Sequence, residues 1–390
     1  MGLKSRIKGI HRKEVMHVVK KGLVKFVKND LASISVIFII LLLVVISMSN
    51  PSRLAFSLTS ISKDIAIFTV VGLAQMATLA VGQFNLAVGA MGGAAGMVCG
   101  YLINVPLEGT MNAESYTQAE VGLAMPWLIG IVAALLVGFV IGIMQGGIIV
   151  KTKINPFIIT LALISVLHGL NMAVTENMYF RNMPPAFKGI SAMTLPASTA
   201  PAAGQQGTYG VPIIFIVALG IMIVLWVLYS RTILGRKMLA TGVSTRAADF
   251  AGISSKKYIM IAHGISGALC ALAGVLTVSK LGAAQTSVGD NWLLYSFAAP
   301  ILGGTLLNGG KVSIAGTMIG AAIMTTITTV LALLKLDAFS HQIFIGAILL
   351  LSFLLNKGRE ALSKKQDKTL IDVQDSFART GGDKNEKLAL

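Results

Sequence analysis

Apolar residues gather in ten blocks along the chain, at about 31–48, 65–80, 84–104, 127–150, 154–175, 212–230, 258–279, 293–306, 313–334 and 343–356. Crossing a bilayer takes about 20 residues of helix. The pattern therefore predicts an all-α integral membrane protein with about ten transmembrane helices, of which the second, eighth and tenth are short. Ahead of the first block, Ile7, Ile10, Val15, Val18, Val19, Leu23 and Phe26 recur at three- and four-residue spacing among nine Lys and Arg. That spacing predicts a basic amphipathic helix over 1–30 lying on a membrane surface. A cleavable signal peptide fits less well, because the charged region is long and no small-residue cleavage site follows 31–48.

Composition agrees with this reading. The 390 residues are 55% hydrophobic and 12% charged, where a soluble globular chain has about a quarter charged residues. The formal charge of +16 invites comparison with nucleic-acid binders. The basic residues lie in tails and loops, however, with no basic stripe interleaved with aromatics, and read as topology signals facing anionic lipid. Ten crossings return the chain to its starting side, and the pieces 1–30, 151–153, 231–257, Lys311 and 357–390 then hold 26 of the 32 basic residues. The positive-inside tendency places these pieces, and so both termini, in the cytoplasm. The 105–126 connection, with Glu108, Glu114 and Glu120 and no Lys or Arg, fits the opposite face, as does the Pro-rich connection 177–211. The chain thus divides into an amphipathic segment (1–30), a transmembrane domain (31–356) and a charged tail (357–390) expected to be disordered. Cys99 and Cys270 fall inside apolar blocks and read as free thiols packed among helices.

Glycine marks two matching places. Gly82-Gln-Phe-Asn-Leu-Ala-Val-Gly89 joins two apolar blocks, and so does Gly303-Gly-Thr-Leu-Leu-Asn-Gly-Gly310. Both are approached from the outer face, which predicts two parallel internal repeats with Gly-interrupted short helices. Interrupted helices at matching positions point to a transporter's substrate pathway, since unwound backbone is tolerated in a membrane only where it is buried or lines a cavity. Two tight turns would leave the same trace.

The blocks carry few groups capable of chemistry. No acid stands at the middle of a span, and His168 and His263 are the titratable candidates for ion coupling. Gly310-Lys311 lacks the first glycine and the following Ser or Thr of a phosphate-binding loop. No metal-spaced Cys/His cluster or nucleophile beside a base is present, so neither a metal site nor a catalytic residue, cofactor or enzymatic activity is expected. The polarity that remains is neutral: Gln75, Gln83, Asn85, Gln145, Asn171, Asn291 and Thr305, with Phe84, Trp292 and Phe297 alongside. Amides donate and accept, and aromatic faces stack on sugar rings, so this set suits a neutral polyhydroxylated or heterocyclic solute. The same amides also serve as hydrogen-bonding glue between helices.

The basic stretch 231–257 stands apart. Between Gly242 and Gly252 it carries good helix formers, Thr245-Arg-Ala-Ala-Asp-Phe-Ala, which predict a short helix beneath the bundle. A soluble partner could grip such a helix; an ordinary solvated loop is the simpler alternative.

Four blocks of sequence, taken together, resemble permease subunits of bacterial ABC importers of the ribose/galactose/xylose type, within the wider branched-chain-amino-acid-permease family. Gln83-Phe-Asn-Leu-Ala-Val-Gly89 is similar to the family's I-D-L-S-V-G, and Ile154-Asn-Pro-Phe-Ile-Ile-Thr-Leu161, with Gly169-Leu170 after it, to its I-P-P-F-I-x-T-L and R-G-L. Gly235-Arg236, Gly242 and Ala247-Ala248-Asp-Phe-Ala-Gly252-Ile253 match its coupling loop. Ala298-Ala299 through Gly303-Gly304-Thr305, Gly309-Gly310 and Gly316-Thr317 match its last block. The resemblance implies an inner-membrane permease importing a monosaccharide or similar small neutral polar solute; the neutral polar set and the glycine segments then give Gln75, Gln83, Phe84, Asn85, Asn171, Asn291, Trp292, Phe297, Gly303, Gly304 and Thr305 as the expected substrate pathway. It implies that Ala240, Gly242, Arg246, Ala247, Ala248, Asp249, Gly252 and Ile253 dock on a separate ATPase subunit, which uses the ATP. A second permease copy and an extracytoplasmic solute-binding protein complete the expected assembly. Asn85 replaces the family's usual Asp, Gln83-Phe84 replace Gly-Ile, Ala251 replaces Ser, and the acidic residue near 291–294 is missing. A nucleoside or signalling sugar derivative therefore stays open as cargo, and a stand-alone secondary carrier is the rival class.

Overall fold

The computed structural model describes residues 30–48, 54–105, 122–176, 178–198, 209–335, 342–347 and 350. The expected amphipathic helix over 1–30 and the tail over 357–390 lie outside the described residues, as does most of the block at 343–356. The other nine blocks are helices: α1 (Asp30–Met48), α2 (Leu54–Leu79), α3 (Val88–Ile103), α4 (Trp127–Thr152), α5 (Pro156–Thr175), α7 (Ile213–Arg231), α10 (Ser255–Leu281), α11 (Trp292–Leu302) and α12 (Ile314–Leu333). Six of them, α2, α4, α5, α7, α10 and α12, are long and apolar enough to cross a membrane. Between these spans stand α6 (Pro185–Ala192), α8 (Ile233–Val243), α9 (Thr245–Phe250) and a two-stranded antiparallel hairpin, β1 (Thr194–Ser198) with β2 (Tyr209–Pro212).

The bundle is layered. In α2 and α10 most of the apolar span is buried, whereas α5 buries only 11% of its span; the outer helices present apolar side chains to lipid or to a neighbour. Lipid tails are as apolar as leucine, so close backbone packing, and not the hydrophobic effect, holds such helices together. The α4/α10 contact shows how. A Cβ added at Gly138 would lie 2.4 Å from the Gly267 carbonyl oxygen, and one added at Gly142 would lie 2.1 Å from that of His263. The four-residue glycine spacing on α4 thus becomes a single groove into which α10 settles.

One expected boundary was too short. The second block begins at 65, yet α2 starts at Leu54, because Ser57, Thr59, Ser60, Ser62, Lys63 and Asp64 lower the local hydropathy without breaking the helix. Asp64 is neutralised by an ion pair with Lys280 at the end of α10.

Loops close one end of the bundle. Phe180 and Ala284 exchange both backbone hydrogen bonds, at 2.9 and 3.0 Å, and Ser279 Oγ donates to the Phe187 carbonyl of α6 at 2.8 Å. At the opposite end, beside α8 and α9, the Gly310 amide donates to the Ala80 carbonyl at 3.2 Å, and Gly82, Gly242 and Gly309 pack backbone to backbone.

Candidate functional site

The connection from α10 to α11 is what shapes the interior. A Cβ at Gly100 would meet the Ala284 side chain, one at Gly93 the Val288 carbonyl, and one at Gly89 the Gly289 carbonyl. Residues 284–289 therefore run antiparallel along α3 from Gly100 down to Gly89, about 16 Å at 1.5 Å per residue. The loop descends into the bundle, so α11 starts inside it, and its 11 residues suffice to reach the far end. On the other side of the contact α3 also starts inside, at Val88, after the non-helical stretch 83–87. Two half-helices thus begin at one interior level with their N-termini side by side, the arrangement that discontinuous transporter helices use to face cargo. Across the interior, Gly89 at the end of the first glycine segment packs on Gly289; the other glycine segment, Gly303–Gly310, meets Gly82 at the α9 end.

Beside these N-termini lies a cavity of about 370 Å³. From α5 it receives Ile164, Leu167, His168 and Asn171, positions i, i+3, i+4 and i+7 of one helical face. From α3 come Gly89, Ala90 and Gly93, and from the descending loop Thr286, Val288, Gly289 and Asp290. His168 Nδ1 faces Asp290 Oδ1 across 4.0 Å. A second, more apolar cavity of about 600 Å³ sits behind it between α3, α4 and α5 and shares Leu167 and Asn171.

Of the pathway candidates read from sequence, only Asn171 borders these cavities. Asn85 is buried at the centre of a network. Its Oδ1 accepts from the Ala87 amide at 3.0 Å and from Gln145 Nε2 at 3.1 Å, and its Nδ2 donates to Ser266 Oγ at 3.0 Å. It ties α3 to α4 and α10, which is the glue alternative for an amide. Trp292 is buried against Gly92, and Gln75 is buried in α2. Asn291 is exposed at the start of α11, Phe84 pairs with Phe297 at a ring-centroid distance of 6.1 Å, and Thr305 Oγ1 accepts from the Ser313 amide at 3.1 Å just after Gly303 and Gly304. Asp290 is the residue that sequence reasoning missed. It stands one position before the place where the acidic residue was sought, directly ahead of a helix too short to span.

Replacing Asn85 with leucine is accordingly expected to destabilise the protein by about 2–4 kcal/mol, the sum of lost interhelical bonds and the orphaned Gln145 amide. Thermal unfolding in detergent checks this: the midpoint falls clearly for Asn85→Leu and stays near the parent value for Asn171→Leu.

The α8–α9 segment forms a second feature at the opposite end. Ala240 and Gly242 lie in α8, and a Cβ at Gly242 would be 2.1 Å from the Ala80 carbonyl oxygen. Ser244 caps α9 by accepting from the Ala247 amide at 3.2 Å. Asp249 accepts from both the backbone amide and the hydroxyl of Ser255 at 2.9 Å, and these bonds, the amide first, hold its carboxyl below the usual range. Ala248 is buried, and its carbonyl accepts from the Ile253 amide, while Gly252 turns the chain at φ +75°. Arg246, Ala247 and Phe250 point outward from the anchored helix.

Residues 57–353 match the model of a family described as the branched-chain amino acid transport system permease component. The chain belongs to this permease family. Among curated relatives, the permease is 26% identical over 301 residues to the D-allose transport system permease protein AlsC of Escherichia coli K12, covering 77% of this chain and 83% of that one. It is 27% identical over 323 residues to the ribose import permease protein RbsC of Bacillus subtilis 168, covering 82% and 91%. It is 25% identical over 338 residues to the autoinducer 2 import system permease protein LsrC of Escherichia coli K12 / DH10B, covering 86% and 90%. No solved structure matches the chain. The permease is a multi-pass membrane protein and a transport component, not an enzyme.

Proposed function

We propose that this permease forms the membrane pathway of an ATP-binding-cassette importer for a monosaccharide or similar small neutral polar solute. The observation that carries the reading is the cavity at the paired starts of α3 and α11, with a few polar groups set in an otherwise apolar lining, as small-molecule sites are built. The names of the relatives, ribose, D-allose and autoinducer 2 permeases, favour that solute class. In this reading the chain crosses the cytoplasmic membrane ten times, with both termini and the basic α8–α9 segment in the cytoplasm. A separate ATPase subunit binds α9 and drives alternating access. A solute-binding protein delivers cargo to the end closed by α6 and the hairpin, and a second permease copy covers the exposed face of α5.

Reconstitution with its ATPase subunit and binding protein tests this. Liposomes holding the complete set are expected to accumulate labelled D-ribose, D-allose or autoinducer 2 only with ATP inside the compartment that faces α9. Uptake by the permease alone down an ion or solute gradient would instead establish the secondary-carrier class.

A further inference from the structure

We infer that the 370 Å³ cavity is a cargo-holding site within the permease itself, in which Asp290 and His168 together grip one hydroxyl of a polyhydroxylated solute and Asn171 a second. The inference rests on the import reading above and assigns residues and chemistry to it.

The geometry of the pair sets the argument. At 4.0 Å, His168 Nδ1 and Asp290 Oδ1 are too far apart for a direct hydrogen bond, which ends near 3.2 Å for nitrogen and oxygen. An oxygen placed about 2.8 Å from each atom spans the gap. A sugar hydroxyl does this naturally: its O–H donates to the carboxylate while its lone pair accepts from the imidazole N–H. With the imidazole proton on Nδ1, an ammonium or a carboxylate ligand lacks that dual capacity. Asn171 lies three residues from His168 on the same face of α5, about one turn away, where its amide reaches a neighbouring hydroxyl.

The remaining lining fits the rest of such a solute. Leu86, Ile164, Leu167 and Val288 offer an apolar wall for ring C–H groups, opposite the polar side. The volume lies at the small end of the roughly 300–1,000 Å³ range of ligand pockets, a size that suits a monosaccharide. Asp290 also sets a charge part-way along the bundle beside the cavity, with 50% of its side chain accessible. An intramembrane ionisable group is costly and normally faces a partner or a pathway, and the descending loop has carried this one beside a cavity and a histidine.

Cysteine protection on the purified full-length permease in nanodiscs tests the site without transport. In Ala90→Cys, a small maleimide is expected to label the cavity, since native Cys99 and Cys270 are both buried. D-ribose at high concentration should slow that labelling at least fivefold, and glycine betaine at equal osmolality should not. Asp290→Asn and His168→Ala should raise the D-ribose concentration needed for protection about 10- to 100-fold, the cost of losing a bond to a charged group, with the melting temperature unchanged. In the complete transporter, Leu167→Phe, which fills the cavity, should lower D-ribose uptake at least tenfold. Equal protection by betaine, or full protection and uptake in these variants, overturns the site while ATP-driven import stands. Failure of the unsubstituted complete transporter to import any of the tested sugars overturns the import reading instead.

Discussion

Gly289→Ala is expected to abolish transport, by more than 100-fold, and to lower the melting temperature of the purified permease. A Cβ at this position would sit 2.2 Å from the Gly89 carbonyl oxygen and 2.7 Å from its carbon, and the φ of +97° is itself a conformation that L side chains rarely adopt. Both obstacles are backbone, so no side chain can swing aside. The loop must retreat from α3 by an ångström or more, and Asp290, the next residue, goes with it. The reciprocal change, Gly89→Ala, meets the Gly289 carbonyl oxygen at 2.1 Å and should give the same result. Gly282→Ala separates clash from strain: its φ is +68°, yet only the flexible Lys188 side chain lies within 4 Å. It should cost about 1–2 kcal/mol and leave most uptake intact. Wild-type uptake by Gly289→Ala would show that the starts of α3 and α11 are not held together by this contact.

The contrast between those glycines also marks what could be read in advance. Among the described residues, hydropathy located nine helices because each holds a continuous apolar run, and glycine spacing on α4 marked close helix packing without naming its partner, because close approach demands small residues at every turn. Depth leaves no such trace. Nothing in the order Ala284 to Trp292 says that the segment runs down α3 instead of across the surface, so Asp290, between the blocks ending at 279 and starting at 293, was not singled out. The stripe Ile164, Leu167, His168 and Asn171 was available as a helical face, but α5 is apolar all round and the stripe did not stand out. The neutral amides are ambiguous for a chemical reason: an amide suited to a sugar is equally suited to another amide, and Asn85 bonds Gln145 and Ser266. Lys63 and Asp64 hid the first turns of α2 because hydropathy counts a charge without its partner, here Lys280. The α9 helix was legible from its helix formers and the glycine turn at Gly252, whereas its start was not: Gly242 lies inside α8, and Ser244 is the cap.

Phe250→Ala is expected to reduce uptake about 30-fold or more, with unchanged membrane abundance and melting temperature. The side chain is 93% exposed, at the last residue of a helix that contributes nothing to the apolar interior except Ala248. Aromatic residues are enriched among the few anchors that dominate an interface, and removing an anchor costs about 2 kcal/mol or more of binding, which is the 30-fold loss. The post is rigid for reasons independent of the ring: the Ser244 cap, the two bonds from Ser255 to Asp249, and the backbone packing of Gly242 on Ala80. Phe250→Ala touches none of these, so a folding defect is not expected. Rigidity is also what a coupling element needs: α8 packs on the junction of Gly82 and Gly309, so under the proposed function a push on Phe250 would reach the backbone leading into α3. Co-purification with the ATPase subunit is the direct readout, and it should fall in parallel with uptake. If both persist in Phe250→Ala and also in Arg246→Glu, the contact lies elsewhere, and α9 is a solvated loop helix after all.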